Sequence, residues 1–126
     1  MNMQGQQVLV VGLGASGLAM AVWCARAGAQ VTVLDDRASP PQAATLAQEI
    51  PNARLLHGAL DAHALAHGPF QRICISPGLT PVRVSSLLDA ARAQGFVLEP
   101  GLVRQDEAVK IKEDRLTVLL DVLTTL

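Results

Sequence analysis

Gly12, Gly14 and Gly17 follow one another as G-x-G-x-x-G, directly after an apolar run and at the start of a helical pattern. Each glycine suits a turn that holds a diphosphate. Gly12 permits the tight turn, Gly14 leaves room for phosphate against the backbone, and Gly17 lets helix and strand pack closely. The first-turn N–H groups of the helix, at Ala15 and Ser16, then face the anion, as does the positive end of its dipole; the Ser16 hydroxyl can add a donor. Asp35 ends the second apolar run, where a dinucleotide-binding sheet places the acid that accepts hydrogen bonds from a polar ligand edge. Asp36 and Arg37 follow it, and Arg37 can offer a bidentate fork to carbonyl or phosphate oxygens. Ser76, Pro77 and Gly78 close a later apolar run with a hydroxyl, a rigid kink and open backbone. These residues point to an anionic nucleotide and leave open whether it is NAD(P) or another diphosphate.

Other chemistries find little support. No Ser or Cys has an evident His partner for nucleophilic catalysis, and no G-x-x-x-x-G-K-[ST] loop is present to hold ATP. His63 and His67 would share a helical face but have no third ligand nearby, so no metal site is expected. Cys24 and Cys74 lie apart in apolar segments outside any C-x-x-C, which reads as two buried reduced thiols and a cytoplasmic protein. The net charge of −1 favours neither nucleic acid nor an anionic membrane surface. No apolar run approaches the roughly 18 residues of a membrane span, and the N-terminus lacks the basic region of a signal peptide.

The elements that must position these residues alternate along the chain. Strands are expected at Gln7–Val11, Gln30–Leu34, Ala53–His57, Arg72–Ile75 and Phe96–Leu98. Helices are expected at Ala15–Ala27, from Pro41 to Ile50, at Asp61–Ala66 and at Val82–Gln94, with Gly28 and Gly95 as stops. Half of the 126 residues are hydrophobic, yet there are only two Phe, one Trp and no Tyr, so Ala, Val and Leu must build the core. The pattern predicts an α/β fold, a Rossmann-like doubly wound parallel sheet of about five strands. In the order 3-2-1-4-5, the loops after the first and fourth strands would flank the switch point where such sheets bind ligands. From Glu99 the composition turns charged. Leu116, Leu119, Leu120 and Leu123 then fall on one helical face, predicting a C-terminal helix over 114–126. That helix would pack on the domain, support self-association through Leu116–Leu126, or mark where a longer protein is cut. The division is therefore 1–98 for the nucleotide-binding domain and 99–126 for the tail.

Taken together, "VVGLGASGLAMA", "VLDDRASPP" and "ISPGL" followed by "LLDAARAQG" resemble the N-terminal domain of the Mur ligases that add D-glutamate during peptidoglycan synthesis. The resemblance covers about residues 5–98. It implies that the Rossmann-like domain holds a UDP-sugar, UDP-N-acetylmuramoyl-L-alanine (UDP-MurNAc-L-alanine), rather than NAD. Gly14, Ala15 and Ser16 would hold its diphosphate, and Asp35, Asp36 and Arg37 match the segment that recognises uracil. Asp36 stands where other members often carry Thr. Ser76, Pro77 and Gly78 match the loop that closes over the nucleotide. In the complete ligases, ATP and magnesium act in a second domain and the incoming amino acid binds a third. This sequence offers no positions to match either, so the chain by itself is expected to bind the UDP-sugar without turning it over. The alternative reading is an NAD(P)-binding domain of an oxidoreductase or regulator.

Overall fold

The computed structural model describes residues 3–101 and 117–121. Six strands form one sheet: β1 (Gln7–Val11), β2 (Gln30–Asp35), β3 (Arg54–His57), β4 (Arg72–Ile75), β5 (Val97–Gly101) and β6 (Thr117–Asp121). Their order is β3-β2-β1-β4-β6-β5, and every pairing is parallel. Three helices accompany them, α1 (Ala15–Arg26), α2 (Ala43–Glu49) and α3 (Pro81–Ala93), together with a 3₁₀ segment at Ala62–His67.

The apolar runs Val8–Val11 of β1 and Ile73–Ile75 of β4 follow from burial on both faces of the sheet. Val8 and Val10 of β1 pack with Met20, Ala21 and Cys24 of α1 and Leu46 of α2. Leu9 and Val11, pointing the other way, pack with Ala64 and Leu65 of the 3₁₀ segment and Val84, Leu87 and Ala91 of α3. Two cores therefore sandwich the sheet, and the α/β doubly wound architecture is the one expected. Fully buried side chains such as Leu9 and Leu87 each stabilise the fold by roughly 1.5–3 kcal/mol through burial alone. Cys24 and Cys74 form no disulfide and are buried in the same core.

The far end of the sheet differs from expectation. Of the segment predicted as a C-terminal helix, Thr117–Asp121 is strand β6; its other residues lie outside those described. β6 inserts between β4 and β5 and is hydrogen-bonded to both. The sheet therefore has six strands rather than about five, and β5 stands one place further from β4. The expected division at 98/99 falls inside β5. The physical reason lies in the stretch Thr117–Leu120. A short apolar run with β-branched residues satisfies a helical face and a doubly buried strand equally well, and periodicity cannot separate the two. Because β6 is paired on both sides within this chain, its backbone edge is already used.

Smaller differences have local causes. α2 begins at Ala43 rather than Pro41, the turn at Pro40–Ala43 closing first through Ala43 N–H to the Pro40 carbonyl. The expected helix at Asp61–Ala66 is 3₁₀, although Asp61 caps it as predicted by accepting from the His63 N–H. Among the described residues no helix is long and apolar enough to cross a membrane.

Candidate functional site

β1 and β4 are neighbours, but the helices that follow them pack on opposite faces of the sheet. Their outgoing loops must therefore part, and between them opens a cleft of ≈ 240 Å³. Gly12, Gly14, Asp35, Arg37, Ser76 and Gly78 line it, with Leu60 and Leu79 as apolar wall. This is the topological switch point, the place where such sheets take ligands.

The glycine turn is built by two demands and leaves a third position free. Gly12 has φ +94°, a conformation that side-chain-bearing residues rarely adopt, and its N–H donates to the Leu34 carbonyl at 2.8 Å. At Gly17 a Cβ would stand 1.8 Å from the Gly12 carbonyl oxygen, so only glycine lets α1 start this close to the turn. Gly14 has neither constraint. Its φ of −95° suits any residue, and a Cβ there would meet nothing within 4 Å. Yet Gly14 is the N-cap of α1 and makes no side-chain cap bond, and the first turn carries no acidic residue. The N-terminal N–H groups of a helix have no intrahelical partner, and the dipole places partial positive charge there. Chemically, such an arrangement can accept an anion.

Asp35 shows how the second strand serves the turn. By its alternation it shares the face of Val31 and Val33, and it is 2% exposed. Its Oδ2 accepts from the Leu13 N–H at 2.8 Å, inside the glycine turn. Its Oδ1 accepts from the Arg37 N–H at 2.8 Å and Nε at 2.9 Å, and Oδ2 also from Arg37 Nη2 at 2.7 Å. The Arg37 side chain is the main reason the carboxyl is held down at about 2; burial opposes it, and the backbone N–H groups of Arg37 and Leu13 add to the lowering. Arg37 is raised in turn, chiefly by the Asp35 side chain, and remains half exposed. Asp35 thus stands where the sequence places it, but its carboxylate is turned inward onto the turn and onto Arg37.

The other predicted residues divide. Asp36 lines the cleft beside Arg37. Ser76 is buried at the end of β4; its carbonyl accepts from the Leu79 N–H at 3.1 Å and its Oγ from the Gly78 N–H at 3.4 Å, so Ser76, Pro77 and Gly78 form a compact turn at the cleft wall. Ala15 is exposed and Ser16 buried in the first turn of α1; neither they nor Pro77 are among the cleft-lining residues. His63 and His67 lie on the 3₁₀ segment away from the cleft, and His63 Nδ1 is 3.1 Å from Asp61 Oδ1.

Sequence reasoning missed Arg83, which lines the cleft and forms an ion pair with Asp36 across it. The signal was available in Thr80-Pro81. Pro81 opens α3 with Thr80 as N-cap, which puts Arg83 in the first turn and at the cleft end of the helix. Leu60 and Leu79 were missed as well, because loop apolar residues carry no periodicity.

The sequence matches the family model described as Mur ligase MurD-like, N-terminal domain, over residues 6–99. It is 50% identical over 94 residues to the UDP-N-acetylmuramoylalanine--D-glutamate ligase of Albidiferax ferrireducens, covering 75% of this chain and 19% of that protein. With the ligase of the same description from Polaromonas sp. it shares 46% over 95 residues, covering 75% and 16%. The chain therefore spans less than a fifth of the length of these relatives. In shape it is similar to the crystal structure of a short-chain type dehydrogenase/reductase from Mycobacterium marinum, with TM-score 0.55, 18% identity and coverage of 77% and 56%. At that identity the likeness shows the Rossmann-like fold alone.

Proposed function

This chain belongs to the Mur ligase MurD-like N-terminal domain family, and from that premise we propose that its cleft binds UDP-MurNAc-L-alanine. The observation that carries the reading is Gly14. Neither its backbone conformation nor its packing requires glycine, and it caps a helix N-terminus at the switch-point cleft. A ligand in close contact with the backbone gives a physical reason for a bare Cα at that position, beside the suitability of glycine as an N-cap.

In this reading the diphosphate lies against the turn at Gly14, Ala15 and Ser16 and is held by the N–H groups of the first turn of α1. The uridine end lies toward Asp36 and the outer face of Arg37, with Leu60 and Leu79 as apolar wall. Ser76, Pro77 and Gly78 bound the cleft on the opposite side. Asp35 acts as a positioning residue, since its four hydrogen bonds fix the glycine turn and Arg37 relative to each other. We place this binding step in the cytoplasm, which suits a chain with two buried cysteines outside any disulfide.

The chemistry proposed here is binding and orientation. ATP and magnesium serve the complete ligases, but the residues of this chain do not fit them. The sequence has no G-x-x-x-x-G-K-[ST] loop, and the described residues bring no three His, Cys, Asp or Glu together for a metal. We assign ligation to the portion of the relatives that this chain does not match.

Backbone amide shifts on titration with UDP-MurNAc-L-alanine test the reading. Saturable changes at Gly12–Gly17, Asp36–Arg37 and Ser76–Gly78 are expected. Changes scattered away from the cleft, or the same cleft saturating with NAD instead, would contradict it.

A further inference from the structure

Arg83 stands in the first turn of α3, and no acidic residue accompanies it there. A cation at that end opposes the helix dipole, so the position does not serve helix stability. Its side chain instead reaches across the cleft to Asp36, joining the loop after β2 to the start of α3. Arg83 is 46% exposed and Asp36 36%, and ion pairs this open to water contribute little to stability. The contact is easily exchanged.

Charge balance in the cleft gives the pair a consequence. The described lining residues include two carboxylates, Asp35 and Asp36, and two guanidiniums, Arg37 and Arg83. Arg37 is committed to the buried Asp35 through two side-chain hydrogen bonds. Arg83 is the lining cation whose partner is itself exposed and replaceable. A diphosphate entering this neutral cleft brings negative charge close to Asp36, which disfavours the old pairing and favours a new one.

We propose that Arg83 is a phosphate-binding residue held in reserve by Asp36, and that it transfers from the Asp36 carboxylate to the diphosphate oxygens when the nucleotide seats. This rests on the reading of the cleft as a nucleotide-diphosphate site. The planar guanidinium can fork onto phosphate as it does onto carboxylate. The anion then lies between the N-terminus of α1 and a cation delivered from α3. Asp36 competes with the ligand for Arg83, so the exposed ion pair sets how much affinity the diphosphate contributes.

Titrations of the full chain with UDP and with uridine, followed by NMR, separate the possibilities. The quantity read is the ratio of UDP to uridine affinity, in which contacts to base and ribose cancel. Arg83→Ala should lower that ratio about tenfold, the scale of one charge-assisted hydrogen bond. Asp36→Asn, which leaves Arg83 in place, should raise it about threefold, the scale of an exposed ion pair. The double variant should stay below wild type, because Asp36→Asn then relieves only its direct repulsion of the diphosphate and no longer frees a cation. Unchanged ratios in both single variants, with wild type still preferring UDP, would overturn the role of Arg83 and leave the diphosphate site standing. Equal binding of UDP and uridine by wild type, or binding of neither, would overturn both.

Discussion

Four donors converge on the carboxylate of Asp35, two from backbone N–H groups and two from the guanidinium of Arg37. They fill the acceptor positions of the group, so its first effect is on the protein's own stability. With the folded carboxyl held at about 2 against an ordinary 3.8, the linkage has a definite sign. The unfolded chain takes up the proton first, so the stabilisation is complete above pH 3.8 and is lost as pH falls through about 2. It amounts to about 2 kcal/mol. Urea denaturation at a series of pH values should show wild type losing that much more stability than Asp35→Asn over this window. Parallel curves would show that the four bonds do not hold the carboxylate as described. Gly14 makes the complementary prediction. Gly14→Ala meets no neighbour, so it should cost no more than the roughly 1 kcal/mol of a poorer N-cap while weakening binding of the UDP-sugar about tenfold or more, the added methyl standing where phosphate meets backbone. A variant that binds as wild type does would remove the reason given for this glycine.

At the scale of elements, the start of α1 depends on how closely it approaches β1. Gly17→Ala would drive a methyl into the Gly12 carbonyl. Backbone on both sides leaves nothing to yield cheaply, and a loss of several kcal/mol is expected, read as a lowered thermal midpoint or failure to fold. A midpoint unchanged from wild type would mean that the turn can open without cost. Much of this element structure was legible beforehand. Unbroken apolar runs at Val8–Val11 and Ile73–Ile75 announce strands buried on both faces, and the spaced glycines mark a turn that brings helix and strand together. What was not legible is non-local. Asp35 could be placed at a strand end, but the donors that turn it inward come from Leu13 and Arg37 in their folded positions. Arg83 meets Asp36 from a separate βα unit, and no periodicity joins the two. The leucine spacing over 116–123 predicts a helix, yet the same residue types also suit a strand; the pairing of Thr117–Asp121 with β4 and β5 decides between them.

For the whole molecule, the sheet supplies a rigid floor and the reversal of strand order supplies the cleft; neither names the ligand. The same architecture serves a dehydrogenase/reductase at 18% identity, so specificity has to come from the loops. Here those are the glycine turn, the Asp35–Arg37 corner and the Ser76–Gly78 turn, all within the part that matches the ligase family. The proposed division of labour leaves this chain to seat and orient a nucleotide-sugar. The most direct test is a calorimetric titration of the purified chain with UDP-MurNAc-L-alanine and, in parallel, with NAD. The account predicts saturable one-to-one binding of the UDP-sugar and no heat of binding with NAD. Saturation by NAD with silence toward the UDP-sugar would contradict it.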